Sequence, residues 1–375
     1  MGQKSRQALL HTPEGVWDHY GSDLREYEAV EAGILACMHR YGYEDIKTPT
    51  FEFFDVFSKD IGTRPSRELY KFFDREGNTL VLRPDFTPSV ARCAAKYFMD
   101  ETKPLRFCYE GSSFCNLSSL QGRLNETTQM GAELVGDPSA EADAEMLALT
   151  VETLISTGLT RFQVTVGNVE YFRGVCEAAG LDEETELALR EHISGKNYYA
   201  AEKLLEQAGV APEYIARFLQ ITSPAGDDTE LVAMRDDAPN ARAAGALSRL
   251  IGVHQALKVY GYEQYISYDL SLLSNYRYYT GILFKAYTYG VGDRIAGGGR
   301  YDALLSRFGK DAPAIGYAVQ IDTLMEALRA QGISIVAEDA PEVLTWSAQE
   351  GDYESKLRLA QNLRAKGRCV VLKKA

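Results

Sequence analysis

The sequence predicts an α+β fold, because stretches typical of strands and stretches typical of helices follow each other in blocks. Three β-rich runs lie in the first half of the chain, at 69–83, 105–114 and 127–136. Charged helical segments then fill 172–258, and strand character returns after them. The tail, 338–375, has the pattern of one strand, one helix and a second strand. We therefore expect a sheet flanked by helices, with a helical insertion and a short C-terminal β-α-β segment.

The first elements follow from apolar spacing and from turn residues. A helix is predicted over 23–41, where apolar residues recur at helical spacing before Gly42. Residues 43–52 alternate like a strand in which Pro49 fits only an edge or a bulge. The run 69–83 predicts two strands joined by a turn.

Helices are next predicted over 84–98 and 139–157, where apolar residues line one face. Pro88 stands near the start of the first of these, where proline is favoured. The segments within 172–258 are predicted to form a helical module inserted between strands. The core is completed by two strands and a helix, at 265–273, 280–290 and 320–332.

The C-terminal segment is short but structured. A single β-α-β unit cannot bury both faces of its sheet alone, so it must pack against the core or a partner. We predict a core over 1–330, the helical insertion at 172–258 within it, and a separate segment over 338–375.

Composition narrows the class of protein. The chain has 375 residues, 45% of them hydrophobic, and a net charge of −13. An acidic surface disfavours binding to nucleic acid, which requires cations for its phosphates. The six cysteines lack CxxC spacing and no two of the five histidines are four residues apart, so we expect no metal site and no cofactor. Because no apolar run reaches membrane-spanning length and the first residues lack a signal-peptide pattern, we expect a cytoplasmic protein.

Four segments carry the functional signal, and their order matters more than any one of them. They are YGYEDIKTPTFE at 41–52, LRPDFTPSVAR at 82–92, the run 106–136 and the run 296–324, which begins AGGGRYD. One glycine run would mean little, since most are turns. Together the four resemble motif 1, the α-amino-binding segment, motif 2, and a histidine-specific signature with motif 3 of the class II histidyl-tRNA synthetases. The resemblance implies the class II fold, an antiparallel sheet flanked by helices, with the tail as a truncated anticodon-domain-like segment.

The resemblance also implies a pocket for the amino acid histidine. In it Asp85, Thr87 and Gln129 would hold the α-ammonium group, with Asp85 in place of the usual glutamate. Gly298 and Gly299 would let backbone approach a ligand or a facing strand. A tight start to a strand is the alternative role for these glycines.

The imidazole ring is implied to meet three further residues. Glu133 and Tyr279 would contact its two nitrogens, and Tyr278 would pack beside it, which suits a ring that carries a donor and an acceptor. Two alternatives stay open. Glu133 and Gln129 can be inward residues of a strand, with the acid satisfied by a buried cation, or Arg277 can pair with an acid and block the pocket.

The same resemblance implies that the catalytic charges are missing. Cys115 and Leu117 stand where motif 2 has arginine and glutamate, Ser274 where the histidine-specific arginine would be, and Thr323 where motif 3 has arginine. Activation of an amino acid by ATP gathers negative charge on phosphate oxygens, and losing one charge-stabilising donor costs about two to three orders of magnitude in rate. Arg123 remains in the motif 2 loop, either near a nucleotide or as an exposed loop residue.

A synthetase-like chain without these arginines and with a short tail resembles the regulatory subunits of ATP phosphoribosyltransferase. That resemblance implies a non-catalytic chain, required with a short-form catalytic subunit for the first step of histidine biosynthesis. It implies a homodimer through motif 1, a hetero-octamer with the catalytic subunit, and L-histidine as feedback inhibitor. The alternatives are an active histidyl-tRNA synthetase and an RNA-binding pseudo-synthetase, against which the acidic charge and short tail count.

Overall fold

The structure is a computed structural model of the whole chain. The residues it describes are 10–58, 64–117, 124–221, 228–273, 279–335, 341–349 and 351–375. They form two compact units, one of Met1–Asp18 and Glu31–Ser334, the other of His19–Val30 and Ile335–Ala375. The predicted domain boundaries stay predictions. No helix among the described residues is long and apolar enough to cross a membrane.

The helices and strands follow one another in this order: α1 (Gly21–Arg40), β1 (Glu44–Asp45), β2 (Phe51–Phe53), β3 (Lys71–Phe73), β4 (Thr79–Leu82), α2 (Thr87–Tyr97), β5 (Leu105–Phe114), β6 (Glu126–Val135), α3 (Ala140–Ser156), β7 (Phe162–Asn168), α4 (Val169–Ala178), α5 (Glu183–Ser194), α6 (Tyr198–Gln207), α7 (Pro212–Ile221), α8 (Asp228–Asp236), α9 (Ala241–Tyr260), β8 (Ile266–Tyr268), β9 (Ile282–Thr288), β10 (Ala296–Arg300), β11 (Ala314–Gln320), α10 (Ile321–Ala330), β12 (Glu342–Trp346), α11 (Asp352–Ala365) and β13 (Val370–Lys374).

A central sheet of eight strands carries the first unit, in the order β1-β5-β6-β11-β10-β9-β7-β8. The inner pairs are antiparallel, and only the outermost pairs, β1 with β5 and β7 with β8, are parallel. Strand β6 is buried from Gln129 to Val135, because strands cover both its edges and helices cover the sheet. The predicted α+β fold with a largely antiparallel sheet is confirmed.

The single strand predicted over 43–52 is wrong. Its first part, β1, joins the central sheet, and its last part, β2, joins a separate three-stranded sheet of order β2-β4-β3. Pro49 lies between them, because proline has no N–H to give to a ladder. The predicted turn between β3 and β4 is confirmed, and Asp74 accepts a hydrogen bond of 2.7 Å from the backbone N–H of Asn78 there.

Helix α2 and strand β5 enclose a hydrophobic core beside the functional site. Val90 and Ala94 of α2 are fully buried, as their spacing predicts. Phe86 precedes the helix and stacks on Tyr109 of β5, with ring centroids 4.4 Å apart. Arg83 lies over the Phe86 ring at 4.1 Å and donates to the carbonyl oxygen of Ser112 at 2.8 Å. The chain that leads into α2 is therefore held in place from both sides.

In the described residues between β7 and β8, where the sequence predicts a helical module, the structure has six helices, α4 to α9. Four of the six, α5, α6, α7 and α9, match the segments that the sequence predicts as helical, at 184–193, 197–209, 211–221 and 240–257. The predicted segments leave out α4 and α8, and the single buried residue of α8, Leu231, explains why no apolar pattern marked that helix. In the second unit, β12 and β13 pair in parallel, from Glu342 opposite Val370 to Trp346 opposite Lys374, which confirms the predicted β-α-β segment.

Candidate functional site

A cavity of about 820 Å³ opens in the first unit, between β6, β10 and β11 and the turns before α2 and after β5. Residues predicted to bind an amino acid and residues predicted to replace catalytic groups share its wall. The first group comprises Asp85, Thr87, Gln129, Tyr279, Gly298 and Gly299, and the second comprises Cys115, Leu117 and Thr323. Four predicted residues, Arg123, Ser274, Arg277 and Tyr278, lie outside the described residues.

Asp85 is fixed at the start of α2. Its Oδ1 accepts hydrogen bonds from the backbone N–H groups of Phe86 at 2.7 Å and Thr87 at 3.3 Å. A carboxylate is favoured there because the unpaired N–H groups of the first helical turn carry partial positive charge. The half-buried carboxylate thus offers the cavity a negative charge in a fixed position.

Glu133 lies on β6 opposite Gly316 of β11, with 1% of its surface exposed. Its Oε1 accepts a hydrogen bond of 2.7 Å from the Thr87 hydroxyl, and its Oε2 accepts one from the Tyr301 hydroxyl. Burial raises the pKa of the Glu133 carboxyl to about 8, although the two hydrogen bonds act to lower it and the charge of Asp85 raises it further. A carboxyl group so placed is neutral over much of the range in which an ordinary glutamate is charged.

Thr87 and Tyr301 line the cavity, whereas Glu133 lies behind them. Glu133 is held by two hydroxyls and, among the described residues, forms no ion pair with a buried cation. The predicted contact between Glu133 and an imidazole stays a prediction. Sequence reasoning missed Tyr301, although it lies only two residues after the glycine run. The available signal was that a tyrosine at the end of a buried strand needs a partner for its hydroxyl.

The side-chain oxygen of Gln129 is the clearest sign that the cavity accepts a polar ligand. Gln129 is 9% exposed, and its Nε2 donates a weak hydrogen bond of 3.4 Å to Gln320. Its Oε1 is buried and has no hydrogen-bond partner among the described residues. A buried acceptor left unpaired costs about 1–3 kcal/mol. A ligand N–H group that fills the cavity next to Gln129 relieves that cost.

The glycines of β10 allow close packing in the cavity wall. A Cβ atom on Gly299 would lie 2.6 Å from Cε1 of the Tyr279 ring, and one on Gly298 would overlap the carbonyl oxygen of Gly316. Glycine at 299 therefore leaves room for the Tyr279 ring beside the strand. Glycine at 298 therefore lets the neighbouring strand β11 approach β10 closely, which is one of the roles predicted for it.

A buried ion pair holds the end of β10. Arg300 is 2% exposed and donates to Oδ1 of the fully buried Asp143 from Nε at 2.8 Å and from Nη2 at 2.6 Å. Arg249 of α9 donates to the other oxygen of Asp143. Because Tyr301 follows Arg300 directly, this network positions the hydroxyl that bonds to Glu133.

The positions predicted to have lost catalytic charge are neutral side chains in the wall. Cys115 is 8% exposed, and burial raises the pKa of its thiol. Leu117 and Thr323 line the same cavity. In the described part of the wall the basic side chains are Arg64 and Arg294.

A cluster that the sequence analysis did not foresee lies outside the cavity. Asp45 Oδ1 lies 3.0 Å from Nε2 of His39 and accepts a hydrogen bond of 3.4 Å from the Cys108 thiol, a grouping that is able to ligate a metal ion. Burial raises the pKa of Cys108 to about 12, so without a metal the thiol stays protonated. Hydrogen bonds alone account for the arrangement.

The fold and the cavity define a class of protein, the histidyl-tRNA synthetase-like class II fold. The family model described as histidyl-tRNA synthetase matches residues 15–324. The crystal structure of histidyl-tRNA synthetase from Nostoc sp. PCC 7120 superposes with a TM-score of 0.82 at 21% identity, covering 97% of this chain and 86% of that one. At that identity the match shows the fold alone.

Two more similar relatives are regulatory subunits. The ATP phosphoribosyltransferase regulatory subunit of Ruminiclostridium cellulolyticum is 38% identical, over 86% of this chain and 77% of that protein. The crystal structure described as an ATP phosphoribosyltransferase regulatory subunit/histidyl-tRNA synthetase from Bacillus halodurans has a TM-score of 0.88 at 30% identity, covering 98% of this chain and 93% of that one. The chain belongs to the family of ATP phosphoribosyltransferase regulatory subunits.

Proposed function

We propose that the chain is a non-catalytic regulatory subunit that works with a short-form catalytic subunit of ATP phosphoribosyltransferase. In this proposal it is required for the first step of histidine biosynthesis, and L-histidine bound in the cavity is the feedback inhibitor. One observation carries the proposal. The cavity combines groups suited to an amino acid with neutral side chains at the positions predicted for catalytic cations.

The amino-acid part of the proposal rests on complementarity. An α-ammonium group brings three N–H donors and a positive charge. Asp85 supplies the opposite charge, and the unpaired Oε1 of Gln129 supplies an acceptor. Thr87 adds its hydroxyl oxygen, since its proton is donated to Glu133. Each of these groups gains a partner when an ammonium group enters.

The imidazole would lie against the two tyrosines of the wall. The Tyr301 hydroxyl donates its proton to Glu133, so toward a ring N–H of the ligand its oxygen would act as an acceptor. Tyr279 offers a phenol for the second ring nitrogen. Glu133 then acts through Tyr301 and Thr87, and contacts the ring directly only if those side chains move aside.

Loss of the synthetase reaction follows from electrostatics. The attack of a carboxylate on ATP needs cations placed beforehand around the phosphates. Cys115, Leu117 and Thr323 supply none, and removing several donors that act together is enough to leave almost no activation. We infer that the chain binds histidine without activating it.

Inhibition by histidine is a linkage effect. Histidine inhibits only if it binds the inactive assembly more tightly than the active one, with a coupling of typically 1–3 kcal/mol, or about 5- to 150-fold. The assembly proposed is a homodimer through motif 1 that joins catalytic subunits in a hetero-octamer. The cavity is then one site of the linkage and the catalytic centre of the partner is the other.

The test measures phosphoribosyl-ATP formation by the short catalytic subunit of the same organism, with and without this chain, over a histidine titration. We expect the chain to raise the rate and histidine to suppress it. If neither the rate nor the histidine response changes, the proposal is wrong. Histidine-dependent exchange of pyrophosphate into ATP by the isolated chain would instead establish an active synthetase, and salt-dependent tRNA binding would establish the RNA-binding alternative.

A further inference from the structure

Three side chains that are able to ligate a metal meet at the outer edge of the central sheet. They are the imidazole of His39, the carboxylate of Asp45 and the thiol of Cys108, and their ligand atoms lie within 4.8 Å of one another. Among the described residues no other three histidine, cysteine or acidic side chains converge in this way. None of the three is part of the cavity wall, so the cavity does not explain why they meet.

The pairing of two strands places Asp45 beside Cys108. Asp45 of β1 is opposite Cys108 of β5 in the parallel ladder, and the backbone N–H of Ile46 donates to the carbonyl oxygen of Cys108 at 2.8 Å. The two side chains point to the same face of the sheet, where the thiol donates a hydrogen bond of 3.4 Å to Oδ1 of Asp45. The register of the sheet therefore fixes the distance between the sulfur and the carboxylate.

The end of α1 supplies the third side chain. His39 lies in the last turn of this helix, and its carbonyl oxygen accepts a hydrogen bond of 2.9 Å from the backbone N–H of Gly42. Gly42 has a φ of +78°, a conformation that glycine adopts readily just after a helix. The chain turns there into β1, and Nε2 of His39 lies 3.0 Å from Oδ1 of Asp45. All three side chains are thus carried by helix or strand, which holds a site more precisely than a loop does.

The distances suit a tetrahedral zinc ion. Zinc binds sulfur at about 2.3 Å and nitrogen or oxygen at about 2.0–2.2 Å, so its ligand atoms lie about 3.3–3.6 Å apart. The separations from Oδ1 of Asp45, 3.0 Å to Nε2 of His39 and 3.4 Å to Sγ of Cys108, differ from those values by at most about 0.4 Å. The remaining separation, from Nε2 to Sγ, is at most 4.8 Å, and the His39 side chain is 43% exposed, so a rotation of its ring closes the site.

The mixture of ligand types selects among metals. Thiolate and imidazole ligands suit zinc and copper, a carboxylate does not suit copper(I), and magnesium and calcium take oxygen ligands. Cys108 is buried, whereas the Asp45 side chain is 67% exposed, so an ion enters from the solvent side. Three protein ligands leave one of four positions to water, and the thiol proton passes to solvent when the sulfur binds the metal.

We propose that His39, Asp45 and Cys108 bind one zinc ion at the edge of the central sheet. All three ligands come from one chain, so the site is complete without a second copy. Hydrogen bonds hold the same side chains together in the metal-free chain, and the ion takes their place. The site is independent of the proposed function, since its residues lie outside the cavity wall. Ligand spacing in the sequence does not reveal it, because Asp45 and Cys108 are 63 positions apart.

The test titrates the full chain, first freed of metal with a chelator, with Zn²⁺ in a calorimeter and with Co²⁺ in a spectrophotometer. Co²⁺ takes the place of zinc, and a bond from thiolate to Co²⁺ gives a charge-transfer band in the near ultraviolet. We expect one ion per chain and this band in the wild type, and no band in Cys108→Ser. In Asp45→Asn and in His39→Gln the affinity for Zn²⁺ should fall by at least about 10- to 100-fold, the cost typical of losing a mere outer-shell partner of a metal ligand.

Two matched controls separate this site from chance binding by other thiols and imidazoles. Cys369→Ser removes an exposed cysteine. His19→Gln removes a histidine whose Nδ1 lies 2.7 Å from Oδ2 of Asp23, a pair that belongs to no three-ligand cluster. Both variants should bind Zn²⁺ and Co²⁺ as the wild type does.

Each contrary outcome overturns the proposal. A wild-type chain that binds no Zn²⁺, or that binds Co²⁺ without the thiolate band, has no such site. Loss of the band in Cys369→Ser instead of Cys108→Ser assigns the ion to a surface thiol, and unchanged affinity in both Asp45→Asn and His39→Gln means an adventitious ion only. If Cys108→Ser fails to fold, those two variants decide, because their side chains are largely exposed. Histidine binding is untouched by any of these results.

Discussion

Gly316 should be irreplaceable, because its missing side chain makes room for Glu133. A Cβ atom at 316 would approach Oε2 of Glu133 well inside 3.0 Å, a distance that real Cβ atoms essentially never show. In Gly316→Ala the carboxyl group must therefore leave its place between Thr87 and Tyr301. Two hydrogen bonds to a buried group are lost at about 1–3 kcal/mol each, and the overpacking adds a further strain of about 1–3 kcal/mol.

We expect Gly316→Ala to lower the free energy of unfolding by about 3–9 kcal/mol, measured by urea denaturation followed by circular dichroism. The control is Gly245→Ala in α9, where a Cβ meets nothing within 4 Å and helix propensity should make the change neutral or stabilising by up to about 1 kcal/mol.

A double-mutant cycle locates the cause. In a Glu133→Ala background the clash with the carboxyl group is absent, so adding Gly316→Ala should cost much less, and the carbonyl oxygen of Ala132 at 2.8 Å becomes the nearest atom to the new Cβ. If the two changes are additive, the overlap with Glu133 is not what fixes glycine at 316, and the reasoning is refuted.

Three further predictions follow from buried polar groups. Arg300→Met should lower the free energy of unfolding in urea by about 3–5 kcal/mol, because Oδ1 of Asp143 loses both hydrogen bonds from Arg300, while Arg242→Met at a surface pair should cost at most about 1 kcal/mol; equal costs would contradict this. Burial raises the pKa of Glu133 from 4.5 to about 8, so between pH 4.5 and 8 the folded chain holds a proton on Glu133 that the unfolded chain has lost. Wild-type stability should thus fall relative to Glu133→Gln as pH rises from 4.5 to 8, by at most about 1.4 kcal/mol per pH unit, and a constant difference would disprove it. Gln129→Met should raise the melting temperature, since it removes an unpaired acceptor, yet weaken histidine binding in calorimetry; a loss of both points to a purely structural glutamine.

Local sequence patterns predict much of the fold. The helices α2 and α3 and the long strands β5 and β6 are predictable from the spacing of the apolar residues on their buried faces. The prediction of one strand over 43–52 was wrong because Pro49 has no backbone N–H to donate, so strand pairing stops there. The alternation of apolar and polar residues continues past the proline and does not show this break. The short helix α8 was missed because too few of its residues are buried to produce an apolar pattern.

The site was predictable only through whole motifs. Glu133 receives hydrogen bonds from residues 46 and 168 positions away in the sequence, and no spacing rule connects them. Their meeting depends on the register of β6 against β11, which places Gly316 opposite the acid. Arg64 lies in none of the four motifs, and the hydrogen bond between Asn116 and Glu68 helps to bring its segment to the cavity.

The helices between β7 and β8 look like an appendage in the sequence, but Asp143 makes them part of the frame of the cavity. The Asp143 carboxylate pairs with Arg300 of the sheet and with Arg249 of α9. Arg249 also donates to the carbonyl oxygens of Pro138 and Ser139, both at 2.8 Å. A shortened chain without α9 would keep the sheet but lose one of two cations that neutralise a fully buried acid. Removing the helical insertion would therefore loosen the cavity from behind, at a residue, Asp143, that is not part of the cavity wall.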